Sequence, residues 1–149
     1  MIPTLAGRLQ TRLILFFLIG VPVTLIFALV QTNFIWSWRE IQIFVYFLCS
    51  ILALGLFLDP IYIFIQSTRW DRDWPFAYQF FFSWIEFGIV LFVARSGWLP
   101  YLDPDFFQGF RLPIIHFTLV FVPSYLFLLG PLQAIFVRWR FKGGQLGKM

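Results

Sequence analysis

Charge is scarce in this chain. Of 149 residues, 11 are Lys or Arg and 7 are Asp or Glu, together 12%, about half the share found in a soluble domain. Histidine occurs once, at His116, and cysteine once, at Cys49. A single cysteine excludes an intrachain disulfide and leaves the redox compartment unreadable. Set in an apolar run, Cys49 reads as a small inert hydrophobe. A single His gives no metal-ligand spacing, so a zinc site has no support and the expected metal and cofactor content is none. No nucleophile motif, phosphate loop or HExxH occurs, and Ser83 and Ser124 carry no local nucleophilic signature. The sequence therefore predicts a protein that is not an enzyme. No basic cluster lies in a soluble segment, so the pI near 9.6 reflects membrane flanks and not a nucleic-acid groove. Internal repeats and low-complexity tracts are also missing.

What is abundant is apolar. Hydrophobic residues make up 60% of the chain and the mean hydropathy is +0.83. A soluble fold of this size cannot hide that much apolar surface. Aromatics reach 23%, with 22 Phe, 7 Trp and 5 Tyr; Phe suits lipid-facing helices, and Trp and Tyr mark membrane interfaces. Four apolar segments stand out, at 13–30, 41–66, 76–94 and 112–137. Each approaches or exceeds the ~20 residues that cross a ~30 Å hydrocarbon layer. The expected fold is all-α: one polytopic membrane domain over 1–149, a bundle of four transmembrane helices. The first segment is long for a signal peptide and lacks a small-residue cleavage site, so it reads as a retained span.

Prolines punctuate these spans. Gly20-Val21-Pro22 should kink the first and Asp59-Pro60 the second, while Pro113, Pro123 and Gly130-Pro131 segment the fourth. Between the third and fourth spans, Asp103-Pro104 reads as an N-cap with Pro at the first helical position. Its aromatic neighbours predict a short helix lying in the interface.

Basic residues set an orientation. Arg8, Arg12, Arg69, Arg72, Arg138, Arg140, Lys142 and Lys148 fall on one side, against Arg39, Arg95 and Arg111 on the other. The positive-inside rule then puts both termini in the cytoplasm.

Within the spans lie Asp59, Glu86 and His116, and intramembrane ionisable groups are functional candidates by default. At ~1.5 Å per residue, Asp59 is ~10 Å from the cytoplasmic end, Glu86 ~12 Å below the outer end and His116 ~6 Å below it. Gln79, Ser83 and Glu86 share a stripe of one helix; Gly55, Asp59, Tyr62 and Gln66 share a stripe of another. Thr24 matches Glu86 in depth, and Gln133 lies near the level of Tyr62 and Gln79. Ala53, Gly55 and Gly88 would permit close helix approach. No Lys or Arg is expected at the depth of Glu86, and an unpaired carboxylate there is too costly. Glu86 is thus read as often neutral, hydrogen-bonded to Ser83, Thr24 or a carbonyl freed by Pro22. The sharper reading makes Asp59, Glu86 and His116 a graded proton or cation relay. A third uses His116 with Phe and Trp walls to hold a pigment or quinone.

Two segments mark the cytoplasmic face: Arg69-Trp70-Asp71-Arg72-Asp73-Trp74-Pro75, and Arg138-Trp139-Arg140-Phe141-Lys142-Gly143-Gly144. Trp70 and Trp74 read as interfacial anchors. Arg69, Arg72, Arg138, Arg140 and Lys142, with Trp139, read as lipid anchors or a docking face. Together with Pro3-Thr4-Leu5-Ala6-Gly7-Arg8, Gln10-Thr11-Arg12 and His116-Phe117, these segments resemble a group of small four-helix integral membrane proteins of cyanobacteria and actinobacteria that has no assigned activity. The resemblance implies a plasma or thylakoid membrane location and transfers no catalytic residue. The leading expectation is a non-catalytic accessory, assembly or interaction subunit. Its partners would be the lipid bilayer, other membrane proteins or further copies of the chain, and no nucleic acid. The alternative is a small proton- or cation-coupled transporter or channel component using Asp59, Glu86 and His116.

Overall fold

Helix α1 starts at Leu5, where Thr4 provides an N-cap: its Oγ1 accepts the Gly7 N–H at 3.2 Å. A computed structural model of the chain describes residues 4–70 and 74–135. α1 runs Leu5–Gln31 and carries one π-helical turn, Phe16–Gly20, in which Val21 N–H bonds to Phe16 C=O. That wide turn sits just ahead of Pro22, which has no N–H to offer the preceding turn. Asn33 and Phe34, both with positive φ, then reverse the chain. α2 spans Trp38–Thr68 with Pro60 inside it, and α3 spans Phe76–Arg95, directly after Pro75. Gly97, at φ +72°, supplies the left-handed residue that ends α3. α4 spans Arg111–Leu129 with Pro123 inside it, and the helix breaks at Gly130 before the short α5, Pro131–Ile135.

Among the described residues there is no strand, and four helices are long and apolar enough to cross a membrane: Leu5–Gln31, Trp38–Thr68, Phe76–Arg95 and Arg111–Ile135. The chain is a multi-pass, all-α membrane protein. Its outward faces carry Phe17, Leu18, Phe57, Phe64, Phe81 and Phe92 in the open, as a lipid-facing surface requires. α1 packs on α2, α2 on α3 and α3 on α4; the π turn and the second half of α1 close the ring onto α4.

The core is phenylalanine packed on phenylalanine. Phe87 stacks on Phe117 with ring centroids 4.3 Å apart, and Phe117 on Phe121 at 5.4 Å. Aromatic pairs of this kind add about 0.5–1.5 kcal/mol each beyond their burial.

One expectation needs correcting. The first helix begins at Leu5 and not at Leu13, so Arg8 and Arg12 lie on it and not on a preceding arm. The connection between α3 and α4 forms the expected short helix, 3-10 in type, over Pro104–Phe107, with Asp103 Oδ1 accepting Asp105 N–H at 3.1 Å. Phe107 is fully buried, 4.9 Å from the Phe47 ring, and Leu102 is buried beside it. The turn plugs that end of the bundle because a Phe there finds a ready aromatic pocket.

Candidate functional site

Arg8 and Arg12 are four residues apart on α1, so both project from one face. That face meets the stripe of α2 that carries Gly55, Asp59, Tyr62 and Gln66, all buried. Glu86 enters from the middle of α3. Its helix is 20 residues long, ~30 Å at ~1.5 Å per residue, which matches the hydrocarbon thickness.

Arg12 joins the three helices. Its Nε donates to Asp59 Oδ2 at 3.0 Å and Oδ1 at 3.2 Å. Its Nη1 donates to Glu86 Oε2 at 3.0 Å and its Nη2 to Glu86 Oε1 at 2.7 Å. The guanidinium thus engages one carboxylate edge-on and the other as a fork, a geometry Lys cannot reproduce. Tyr62 OH donates to Glu86 Oε1 at 3.0 Å. Arg8 extends the cluster: Nη2 donates to Gln66 Oε1 at 3.3 Å, Nη1 stands 4.0 Å from Asp59 Oδ1, and the guanidinium lies 4.0 Å over the Trp74 ring. Asp59 and Glu86 are 0% and 1% exposed, so these contacts carry the full weight of holding two carboxylates away from water. Two cations face two anions, and the cluster sums to zero charge.

Gly55 makes the arrangement possible. A Cβ there would overlap the Arg12 guanidinium and stand 2.9 Å from Glu86 Oε2. Gly88 and Ala53 have no such role: Ala53 is exposed, and nothing lies within 4 Å of a Cβ built on Gly88.

The expectation that no cation reaches Glu86 is therefore wrong. Arg12 sits within the first helix, and its long side chain reaches the carboxylate. Glu86 is paired, and neither Ser83 nor Thr24 is its partner. Ser83 Oγ donates to Gln79 C=O at 2.8 Å. Thr24 Oγ1 bonds His116 Nε2 at 2.9 Å, and Gln133 Nε2 donates to Leu128 C=O at 3.2 Å.

His116 is fully buried elsewhere in the bundle, with the rings of Phe27 and Phe44 at 5.3 and 5.1 Å. Its Nδ1 has no partner among the described residues. No hydrogen bond or ion pair among the described residues joins His116 to Arg12, Asp59 or Glu86. Among the described residues, no three His, Cys, Asp or Glu side chains gather as a metal site would require.

The turn after α2 also differs from its expected form. Trp70 is 95% exposed and suits an anchor, but Trp74 is only 6% exposed and belongs to the cluster as the platform under Arg8. Arg69 Nη1 donates to Tyr78 OH at 2.9 Å. Arg72, Arg138, Trp139, Arg140 and Lys142 lie outside the described residues.

Beside the cluster is a cavity of about 120 Å³ lined by all four long helices. Arg12 and Glu86 form its charged end. Gln79, Ser83 and Ser124 add polar groups, and Phe16, Phe117, Phe121 and Tyr125 add aromatic walls. Arg8, Arg12 and Trp74 were not foreseen as site residues inside the bundle. The signal that could have found them is the spacing of the two arginines on one helical face, together with two carboxylates in the spans that lacked a cation. Compared with protein-family models, curated proteins and solved structures, the chain has no significant match. Its function is read from the side chains themselves.

Proposed function

We propose that this protein is a non-catalytic accessory subunit of a bacterial plasma or thylakoid membrane, a small bundle that works by associating with other membrane proteins or with further copies of itself. One observation carries the reading: the ionisable groups inside the bundle are each held by a fixed partner. Arg12 is committed to Asp59 and Glu86, Tyr62 to Glu86 and His116 to Thr24. A relay needs groups that exchange partners along a continuous path, and among the described residues no hydrogen bond links His116 to Asp59 or Glu86. The outer surface offers exposed Phe, Leu and Trp side chains that can face lipid or the apolar helices of a partner.

The same chain ends carry the orientation. With Arg8 and Arg12 inside the bundle, Arg69, Arg72, Arg138, Arg140, Lys142 and Lys148 still outnumber Arg39, Arg95 and Arg111. Both termini are then cytoplasmic, and the basic segment after α5 is the face offered to an acidic partner or to anionic lipid.

Purification in mild detergent, with identification of co-purifying proteins, tests association. Replacing Arg138, Arg140 and Lys142 together by Gln should leave insertion intact and strip the partner, as high salt should. Reporter fusions at Lys148 and near Trp98 should report opposite sides. Proton flux in liposomes that Glu86→Gln abolishes without unfolding the chain would replace this reading with transport.

A further inference from the structure

The cavity beside Arg12 has a composition that the accessory role does not require. One end is polar and holds paired charges; the rest is apolar and largely aromatic. Phe117, Phe121 and Tyr125 run along α4 with their rings nearly parallel, at 12° and 25° between successive planes. They present a flat ladder to the space. At the polar end, Arg12 spends Nε, Nη1 and Nη2 on the two carboxylates. A guanidinium has five N–H groups, so each terminal nitrogen keeps one. The amide of Gln79 and the hydroxyl of Ser124 line the same space. The charges of the cluster already balance, so a charged guest would break that balance in a low-dielectric setting, whereas an uncharged oxygen acceptor would not. The π turn Phe16–Gly20 forms part of the wall through Phe16 and Gly20, and π turns inside α-helices are frequent at functional sites. The volume, about 120 Å³, is close to that of an engineered cavity of ~150 Å³ that accepts benzene.

We infer that this cavity binds the head of a quinone-class membrane lipid: a flat, uncharged ring bearing carbonyl oxygens on an apolar tail. The ring lies along the Phe117–Tyr125 ladder. One carbonyl accepts from Arg12 and another from the Gln79–Ser124 side, and the tail leaves between helices into lipid. The inference concerns binding alone and does not depend on the accessory role.

The test uses the full chain in lipid nanodiscs with 2-decyl-1,4-benzoquinone, whose otherwise unsubstituted ring matches the volume, as the probe. Binding is read by thermal shift and by tryptophan quenching, since Trp84 packs against Phe117 with centroids 5.1 Å apart. Decylbenzene (same tail, no oxygens) and decanol (one hydroxyl, no ring) serve as controls. The expected result is saturable stabilisation and quenching by the decylbenzoquinone, with neither control competing at equal concentration. Gln79→Ala with Ser124→Ala, both at half-buried positions, should fold and bind about tenfold more weakly, as loss of one hydrogen bond predicts. Val120→Phe, which fills the cavity, should abolish binding. Absence of saturable binding overturns the inference. So does equal competition by either control, or unchanged affinity in a folded Gln79→Ala/Ser124→Ala variant.

Discussion

Replacing Arg12 by Met keeps a long apolar side chain and removes its guanidinium. The two carboxylates then lose their shared partner. Asp59, fully buried, is left with Arg8 Nη1 at 4.0 Å, and Glu86 with the Tyr62 hydroxyl at 3.0 Å. Removing one member of a buried ion pair typically costs about 3–5 kcal/mol, because a charge stays behind in a poor dielectric. For a chain of this size that corresponds to a fall of about 9–15 °C in Tm, at ~3 °C per kcal/mol. A quadruple variant, Arg8→Met and Arg12→Met with Asp59→Asn and Glu86→Gln, removes all four charges of the cluster and leaves no buried cation unpaired. It should recover most of the loss, because replacing a whole buried ionic group is often near neutral. The assay is detergent thermal stability followed by size-exclusion fluorescence, with the single, the two carboxamide singles and the quadruple variant compared. If Arg12→Met loses less than about 1 kcal/mol, or if the quadruple variant is worse than the single, then Arg12 does not neutralise buried carboxylates and the site has been misread.

Gly55→Ala should lower Tm although Ala is the better helix former by about 1 kcal/mol, because its Cβ would overlap the Arg12 guanidinium; Gly88→Ala, with nothing within 4 Å, should raise or preserve it, and a Gly55→Ala gain would refute the close approach. Thr24→Val removes the hydrogen bond at 2.9 Å to His116 and should cost about 1–3 kcal/mol, with Thr24→Val/His116→Leu recovering part of it; a double variant no better than the single would count against the pair. Trp74→Ala should cost about 3–5 kcal/mol as a buried aromatic under Arg8, whereas exposed Trp70→Ala should leave thermal stability unchanged; equal losses would return both to the role of surface anchors.

The bundle was legible from hydropathy because a bilayer permits so few spanning structures. Runs such as 76–94 coincide with their helices nearly to the residue. The stripe Gly55, Asp59, Tyr62 and Gln66 was equally readable, since the 3.6-residue period needs no knowledge of the partner helix. What failed was the boundary of the first span. Hydropathy stops at Arg12 because a charge there is costly in isolation, and the cost vanishes only when Asp59 and Glu86, 47 and 74 positions away in sequence, supply the countercharge. Hydropathy treats residues singly, and this helix is stabilised by a pair. Trp74 was missed for a related reason: tryptophan beside a membrane span is an interfacial residue until a cation stacks on it. The π turn was legible only as a proline effect of unspecified form.

Lipid tails are as apolar as Leu and Phe, so the hydrophobic effect does not drive these helices together once they are inserted. An interface built mainly of Phe rings can trade one neighbour for another when a helix slides by one turn, ~5.4 Å. An arginine clamped on two carboxylates from different helices cannot slide. A one-turn shift of α1 would carry its guanidinium past hydrogen-bond reach of Asp59 and Glu86 together. The cluster thereby fixes the register of three helices, and that role depends on the planar fork and not on charge alone. Arg12→Lys isolates the point. An ammonium keeps the positive charge, yet as a compact point charge it cannot present the Nε edge to Asp59 while its other nitrogens grip Glu86. The expected stability lies between that of the wild type and Arg12→Met. Cysteine pairs placed across the neighbouring helices α1 and α2 should cross-link at more than one register in Arg12→Lys and at a single register in the wild type. A Lys variant with wild-type Tm and one cross-link register would show that charge neutralisation suffices and that the fork has no part in alignment.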